Sequence, residues 1–517
     1  METTQVLISG AGPAGLTLGI ELARRGVPCQ VVNAAAGISP ASRGKGLQPR
    51  TLEVFDDIGV LGAVWAGGRE YPVVRGYSGR DVVWEGRMSE ISEPTPDVPY
   101  PNGWMVPQWR TERILRDHLA GLGVGVRDGT ELTGFTTDDD GVTATVAARD
   151  DEWQIRARYL VGTDGGHSTV RRVLGVGFAG ETREGDRMLF GDLRVDGLDR
   201  DHWHMWSNAP DRSDTLGLCP LPGTDTYQFV AADPGTDFEL DHDGVQALIT
   251  ARTGRDDIRL REITAISRYR ANMRMAERFR AGPVFLAGDA AHVHSPAGGQ
   301  GLNTSVQDAY NLGWKLAAVL AGADDTLLDS YEAERMPVAA GVLRISTALH
   351  RQAGEGSGPM KRGRETQQLD IGYAGGPLAP GAGDGDLDGS GGVLRAGDRA
   401  PDAPALRGAN GTVTRLFDLY RGPHLTLLAF GASLAAPAHD LAAPYGPAVR
   451  TVPVLHTGES PAAAGPSAVV DEGGHAAKAY GIGADTLVLI RPDGYVGAIS
   501  PDIADIASYL PRVTAPC

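Results

Sequence analysis

The sequence predicts an α/β protein in which parallel strands alternate with helices, with a separate antiparallel sheet inserted along the chain. Three observations carry this prediction. A short apolar run at 5–9 leads through a glycine-rich turn into a helical pattern. Strand-like runs cluster between residues 185 and 272. A second buried-strand pattern at 283–287 then leads into another helical pattern, from about Asn303 to Leu320.

The composition narrows the class of protein. The chain has 517 residues, of which 42% are hydrophobic and 22% charged, enough for two or three cores. Its net charge of -17, with scattered Lys and Arg, argues against a nucleic-acid surface or an anionic membrane as partner. The first residues resemble no secretory signal, and no apolar window is long enough to span a bilayer, so we expect a cytoplasmic protein. Three separated cysteines predict neither a disulfide framework nor a zinc site.

The opening segment predicts a Rossmann-like β-α-β unit. The first helix is expected to end near Gly26, and a second strand at about 28–32 should run parallel to the first. Between the first strand and the helix stands Gly10-Ala11-Gly12-Pro13-Ala14-Gly15, a G-x-G-x-x-G turn. In this position such glycines allow a tight turn, close approach of a pyrophosphate and close helix packing. The alternative is a turn that merely joins the two elements.

The usual acidic residue at the end of the second strand is replaced by Asn33. Its amide can still hydrogen-bond a ribose hydroxyl, without the assistance of a charge.

A second glycine-rich segment follows the run at 283–287 and is more specific. It contains Gly288-Asp289 and continues through Pro296 to Gly298-Gly299-Gln300-Gly301-Leu302-Asn303. An Asp at a strand end can bind a polyol hydroxyl, and the glycines let a flat ring lie against the backbone. The helix N-terminus there favours negative charge on that ring.

A third segment, 159–172, predicts a strand that ends in Asp164-Gly165 and is followed by a basic helix start with Arg171. Alone it is an ordinary strand-turn-helix, with His167 as a loop residue. His292 and His294 have no partner at a recognisable ligand spacing, so no metal site is predicted.

Together these three segments resemble the single-component flavoprotein hydroxylases of the para-hydroxybenzoate hydroxylase type, and particularly their actinomycete polyketide branch. The resemblance covers about residues 5–345. It implies a discontinuous FAD-binding domain (1–72, 107–184 and 273–373) and a substrate-binding middle domain (73–106 and 185–272). A linker (374–394) and a thioredoxin-like C-terminal α/β domain (395–517) follow; without a CxxC this domain cannot do thiol redox work.

The resemblance implies that NAD(P)H reduces FAD and that O2 then forms a C4a-hydroperoxyflavin, which hydroxylates an aromatic polyketide or polycyclic phenol. Such an enzyme serves antibiotic biosynthesis or inactivation, as a monomer or homodimer. Residues 42–46 match the basic stretch that lies near the flavin in this family. The expected cofactor-binding positions are Gly10, Gly12, Pro13, Ala14, Gly15, Asn33, Arg43, Gln108, Asp164, Arg171, Gly288, Asp289, Gly301, Leu302 and Asn303.

No dedicated general base stands out, so the residues predicted to matter for catalysis are those that position the flavin: Pro296, Gly298, Gly299 and Gly301. An apolar, water-poor pocket is also required. Its candidate positions in the middle sheet are Met205, Trp206, Leu218, Pro220 and Phe229, with packing of the sheet as the alternative role.

Three other functions use the same scaffold. A flavin halogenase is disfavoured because the WxWxIP motif is absent: Trp203-His204-Met205-Trp206-Ser207 does not fit it. A Baeyer–Villiger oxygenase would use the same residues on a ketone. A flavin-bearing protein that binds an antibiotic without turnover also stays open.

Overall fold

The order of elements follows the apolar patterns of the sequence. The computed structural model of the protein describes residues 1–42, 44–207, 214–295, 298–355, 362–379, 394–483 and 485–517, without the side chains of 183–186, 271, 350–355, 462 and 463. Up to residue 173 the elements are β1 (Glu2–Ser9), α1 (Pro13–Ala23), β2 (Cys29–Asn33), β3 (Gly46–Leu47), α2 (Pro49–Asp57), α3 (Leu61–Gly67), β4 (Arg69–Glu70), β5 (Val73–Ser78), β6 (Asp81–Gly86), β7 (Trp104–Met105), α4 (Gln108–Gly121), β8 (Val126–Asp128), β9 (Glu131–Asp138), β10 (Gly141–Ala148), β11 (Asp151–Gly162) and α5 (Thr169–Val173).

The remaining elements form the second and third sheets and the helices that flank them. They are β12 (Phe178–Asp196), β13 (His202–Trp206), β14 (Leu216–Pro220), β15 (Tyr227–Ala232), α6 (His242–Thr253), β16 (Arg259–Ala276), β17 (Arg280–Ala281), β18 (Val284–Leu286), β19 (His292–Val293), α7 (Gly301–Leu320), α8 (Asp329–Glu355), β20 (Leu406–Gly408), β21 (Val413–Thr414), α9 (Leu416–Tyr420), β22 (Leu425–Phe430), α10 (Ala435–Ala442), β23 (Val449–Leu455), α11 (Pro461–Ala464), β24 (Val469–Asp471), α12 (His475–Tyr480), β25 (Thr486–Ile490), β26 (Val496–Ser500) and α13 (Ile503–Tyr509).

The first sheet has the strand order β17-β18-β11-β1-β2-β8, with β9 and β10 continuing from β11. Strands β1, β2, β8, β11 and β18 run parallel, so the predicted parallel β-α-β opening is confirmed. Helix α1 ends at Ala23, one turn before the expected Gly26. Helices α1 and α7 pack against each other, and their apolar faces share one core with this sheet.

The second sheet has the order β19-β16-β12-β15-β14-β13-β5-β6. Its strands β12, β14 and β15 lie in or overlap the region 185–272, where the sequence predicts strands. It is antiparallel except where β13 runs parallel to β5. Strand β7 does not join this sheet, because it pairs with β3 and β4.

The third sheet, β21-β20-β24-β23-β22-β25-β26, contains parallel pairs among β22, β23 and β24 and antiparallel pairs at β25 and β26. Strands and helices alternate in this part of the chain, in agreement with the α/β character expected for 395–517. The thioredoxin-like character and the domain boundaries stay predictions. Most of the expected linker, at 380–393, lies outside the described residues. Among the helices described, none has the length and apolar character of a membrane span.

Candidate functional site

The first glycine turn is built as its motif predicts. Gly10 has φ +111°, and a Cβ there would lie 2.3 Å from the carbonyl oxygen of Thr163. A Cβ on Gly15 would lie 2.6 Å from the Thr163 hydroxyl. By contrast, apart from the adjoining residues, no heavy atom of the described chain lies within 4 Å of a Cβ built on Gly12, the N-cap of α1. The turn therefore leaves room for a ligand beside a helix N-terminus, where unpaired N–H groups and the helix dipole favour phosphate.

The Asp164 segment lies directly against this turn. The Thr163 hydroxyl donates to the carbonyls of Ser9 and Gly10, both at 2.9 Å. Asp164 Oδ2 accepts hydrogen bonds from the amides of Thr169 and Val170, at 2.8 and 3.2 Å, and so holds the start of α5. Its Oδ1 atom is buried without a hydrogen-bond partner in the described structure. This orphaned acceptor fits a ligand that supplies a hydroxyl group.

Arg171 is buried and engaged with the backbone. Its guanidinium donates to the carbonyls of Ala290 and Gly166, at 2.8 and 2.7 Å, and stacks on the Phe178 ring at 3.7 Å. It thus fixes the position of the Gly288–Ala290 turn relative to α5. The structure gives Arg171 a positioning role; the cofactor contact expected from the sequence stays a prediction.

The Gly288-Asp289 segment meets the first glycine turn. Gly288 has φ +61°, and a Cβ there would lie 3.2 Å from the Cβ of Ala14. Pro13 begins α1 beside it. Asp289 is exposed, at the carboxyl end of β18. Two motifs separated by more than 270 residues therefore share one edge of the first sheet, as expected for a single nucleotide site.

A buried polar network lies beneath this segment. Asp308 accepts from the Gly288 amide at 3.1 Å and from His292 Nε2 at 2.6 Å, and it is ion-paired with Arg335 at 2.8 Å. His292 Nδ1 is 2.8 Å from His294 Nε2. Burial drives the pKa of His294 well below its usual value, so this ring is neutral. No group of side chains with metal-ligand character was found in the described part of the chain.

The turn that opens α7 is held by Asn303. Its Oδ1 accepts from the Gln48 amide at 2.8 Å, and its Nδ2 donates to the carbonyls of Gly46 and Gly299, at 2.9 and 2.8 Å. Gly298 and Gly299 have φ of +85° and +64°. Asn303 thus binds the 42–46 segment to the predicted flavin-positioning turn. Gly301 begins α7, whereas Pro296 lies outside the described residues.

The 42–46 segment is also held by Gln108, whose Oε1 accepts from the Gly44 amide at 2.9 Å and whose Nε2 donates to Glu112 at 2.9 Å. A Cβ on Gly44 would lie 3.3 Å from Leu302 Cδ1. Both ends of the Gln108 amide are therefore used within the protein. Arg43 lies outside the described residues.

Asn33 also has partners within the protein. Its Nδ2 donates to Asp128 Oδ1 at 2.7 Å, and Asp128 binds Arg116 through both of its oxygens. The neighbouring strand β8 thus brings a carboxylate to the position where the sequence of β2 lacks one. Spacing along one strand could not reveal this, because Asp128 stands 95 residues away.

The two faces of the second sheet have different surroundings. We call the face that meets the 42–46 segment the inner face. Asp192 accepts from the Ser42 amide at 2.9 Å, and Gln228 donates to the Ser42 carbonyl. Lys45 Nζ lies 3.8 Å from the centre of the Trp203 ring. Because side chains alternate along a strand, the neighbours Leu193, Tyr227 and Phe229 face the other way.

This alternation corrects part of the predicted pocket. Trp206, Leu218 and Phe229 are fully buried in a core that also contains residues of α6, so they pack the outer face. Pro220 is buried at the end of β14. Met205 lies on the inner face, since a Cβ on Gly217 would lie 2.7 Å from its Sδ and 3.4 Å from Trp203 Nε1. The inner-face residues Asp192, Trp203, Cys219 and Gln228 were missed, although the two-residue period of these strands could have indicated them.

Comparisons with known proteins agree with this geometry. Residues 3–346 match the model of a family described as FAD binding domain. The chain is 48% identical to a flavin-dependent monooxygenase of Mycobacteroides abscessus, over 98% of this chain and 99% of that one. It is 37% identical to the 6-methylpretetramide 4-monooxygenase of Streptomyces rimosus, over 96% of this chain and 90% of that one.

A solved structure shares the fold along the whole chain. The ternary complex of aklavinone-11 hydroxylase with FAD and aklavinone superposes with a TM-score of 0.82 at 29% identity, covering 99% of each chain. The glycine turns, the orphaned Asp164 oxygen and these similarities lead to one conclusion: the chain belongs to the FAD binding domain family, as a flavin-dependent monooxygenase related to the polyketide hydroxylases.

Proposed function

We propose that this monooxygenase uses FAD, NAD(P)H and O2 to hydroxylate an aromatic polyketide or a related polycyclic phenol. One observation carries the proposal. The 42–46 segment contacts the inner face of the second sheet at one end, and Asn303 binds its other end to the flavin-positioning turn. Two relatives support the substrate class: one is named for 6-methylpretetramide, and the other was solved as a ternary complex with FAD and aklavinone.

The described residues fit FAD. In the proposed site, the amides at the start of α1, next to Gly12, hold the pyrophosphate, and Asp289 hydrogen-bonds the ribityl chain. The open space at Gly12 and the unpartnered oxygen of Asp164 are the features that a bound nucleotide would occupy and satisfy. FAD, when bound and reduced, supplies the activation of O2 for transfer of one oxygen atom to the substrate.

The protein itself contributes binding, orientation and exclusion of water. Gly298 and Gly299 let a flat ring approach the backbone closely, and Asn303 fixes their turn. The space opposite is covered by buried side chains, which include Cys219 of the inner face and the neighbouring Met105 of β7. A site closed in this way favours oxygen transfer to the substrate over release of hydrogen peroxide. In this proposal the enzyme acts in antibiotic biosynthesis or inactivation.

The test is a screen of polycyclic phenols for faster NADH or NADPH consumption by the flavin-loaded protein, with mass analysis of the products. The expected result is a stimulated rate together with a product that has gained one oxygen atom as a hydroxyl group. Fragmentation that instead places the oxygen within a ring would favour the Baeyer–Villiger alternative.

A non-catalytic flavin or antibiotic carrier gives a different pattern. Such a protein would hold FAD and bind the phenols, but none of them would accelerate NAD(P)H oxidation. A colourless protein that refuses added FAD would overturn the proposed function altogether.

A further inference from the structure

A buried lysine lies between the inner face of the second sheet and the flavin-positioning turn. Lys45 is 9% exposed. Its Nζ donates to Gln228 Oε1 and lies 3.8 Å from the centre of the Trp203 ring. Burial raises the pKa of the adjacent Cys219 thiol, so this neighbour is neutral as well. The immediate surroundings of Lys45 are therefore an amide, an indole and a thiol, none of which carries a charge.

A buried ammonium group without a counter-ion is unusual, because the cost of removing it from water is not repaid by neutral neighbours. Within the described residues, no carboxylate lies within the 4.0 Å ion-pair distance of Lys45. Asp192, which is largely ionised at neutral pH although burial raises its pKa to about 6, acts on Lys45 only from farther away. Burial also lowers the pKa of Lys45. The negative charge of a bound ligand would give Lys45 the close partner that it lacks.

A second cation faces the same space. A Cβ on Gly299 would lie 3.7 Å from Arg362 Nη1, and the Arg362 guanidinium lies 6.0 Å from the Tyr71 ring centre. Tyr71 links the two cations, since its hydroxyl would lie 1.9 Å from a Cβ on Gly46, the residue next to Lys45. The charge of Arg362 also contributes to the lowered pKa of Lys45. Arg362 Nε and Trp203 Nε1 are buried donors without a hydrogen-bond partner in the described structure. Because buried donors are nearly always hydrogen-bonded, each of these two groups is expected to bind an acceptor.

We propose that Lys45 and Arg362 form an anion-binding end of the substrate site, which takes an aromatic ligand through an ionised carboxylate, phenolate or acidic enol oxygen. This inference rests on the proposed function and narrows its substrate class. Lys45 precedes Gly46, whose carbonyl is held by Asn303 together with that of Gly299. The charged oxygen thereby fixes one end of the substrate at a set distance from the flavin-positioning turn, so Lys45 is a specificity-determining residue.

The test compares two ligands of nearly equal shape, anthraquinone-2-carboxylate and anthraquinone-2-carboxamide, by titration into the flavin-loaded protein and observation of the flavin absorption spectrum. We expect the acid to bind about 10- to 100-fold more tightly than the amide, the range of one charge-assisted hydrogen bond. Lys45→Met should reduce this preference to about twofold or less. The affinity for the amide and the bound FAD should stay unchanged.

Two controls keep the result specific. Lys478→Met makes the same chemical change on the exposed face of α12 and should leave the preference intact. Since Lys45→Met removes an unpaired buried charge, its thermal unfolding midpoint should equal or exceed that of the unaltered protein.

The inference is overturned if acid and amide bind equally, if neither binds, or if Lys45→Met keeps the preference. A protein that holds FAD and oxidises NAD(P)H with neutral phenols but ignores ligand charge would refute this inference alone. Failure to bind FAD would refute the proposed function as well.

Discussion

The carboxylate of Glu334 in α8 and the guanidinium of Arg491, which follows β25, form a two-point ion pair with distances of 2.6 and 2.8 Å, and both side chains are fully buried. Lys315 of α7 joins the same carboxylate at 2.7 Å, and Asp493 joins Arg491 at 2.6 Å. This ion cluster connects the third sheet to α7, the helix that begins at the flavin-positioning turn.

We expect Glu334→Gln to lower the free energy of unfolding by about 3 to 5 kcal/mol, because it leaves Lys315 and Arg491 buried with less opposing charge. Although burial alone would raise the pKa of Glu334, these two cations hold it well below its usual value. Urea unfolding measures the change. Glu472→Gln, which disrupts the half-exposed pair with Arg407, serves as the control and should change the free energy of unfolding far less, because water screens this pair. Equal losses in the two variants would contradict the prediction.

Gly12→Ala should weaken FAD binding at least tenfold while leaving the stability of the FAD-free protein within about 0.5 kcal/mol. No protein atom lies near the added methyl group, so any loss must come from the ligand that the turn receives. Titration with FAD and urea unfolding measure the two effects.

The matched control is Gly62→Ala, at an exposed glycine in the first turn of α3 that also has open space around it. It should leave FAD affinity unchanged. If Gly12→Ala binds FAD normally, the pyrophosphate does not approach this turn.

Arg171→Met should destabilise the protein by about 2 to 4 kcal/mol, because the carbonyls of Ala290 and Gly166 lose buried charge-assisted donors. The fraction of FAD that stays bound during gel filtration should also fall, since Ala290 belongs to the turn that carries Asp289. Arg172→Met removes the exposed neighbouring arginine and should change neither quantity. A stable Arg171→Met protein that loses only FAD would instead indicate a direct cofactor contact.

Asp192→Asn should stabilise the folded protein at neutral pH but not in acid. Burial raises the pKa of Asp192 from 3.8 to about 6, so the folded state holds the proton more tightly than the unfolded chain. The ionised group therefore costs about 2 to 3 kcal/mol above pH 6, a cost that disappears as the pH falls towards 4. Asparagine avoids this cost and can still accept from the Ser42 amide.

Urea unfolding of both proteins at pH 4.5 and 7.5 measures the difference. It should be small at the lower pH and favour the variant at the higher one. A difference that is the same at both pH values would exclude the titration of Asp192 as its cause.

The sequence predicted the parts of the fold that depend on local patterns. The G-x-G-x-x-G turn, the parallel pairing of β1 with β2 and the course of α7 follow from glycine positions and apolar spacing along a few consecutive residues. The end of α1 was less accurate, and the pairing of β7 with β3 and β4 has no local signal, because its two residues pair according to tertiary context.

The site was harder to predict where its side chains bind other parts of the protein that are distant in the sequence. The sequence predicts cofactor contacts for Gln108 and Asn303, which stay predictions, whereas the structure shows their amides bound to backbone groups of distant segments. No spacing rule indicates that Lys45 lies on Trp203 or that Asp128 reaches Asn33, since these contacts arise only when the sheets assemble. The predicted pocket also contained only apolar and aromatic residues of the second sheet, whereas the side chains that contact the 42–46 segment include the polar residues Asp192 and Gln228.

The alternation along β12, β14 and β15 also sets how this scaffold can acquire new selectivity. We expect substitutions at inner-face positions such as Gly217, Cys219, Gln228 and Val230 to change the surface that faces the 42–46 segment and to leave the core beneath α6 intact. Substitutions at Leu218 or Phe229 should destabilise the fold first. A mutagenesis library for other substrates is therefore best confined to every second residue of these strands. Related enzymes should likewise differ most at the alternate positions that face the 42–46 segment.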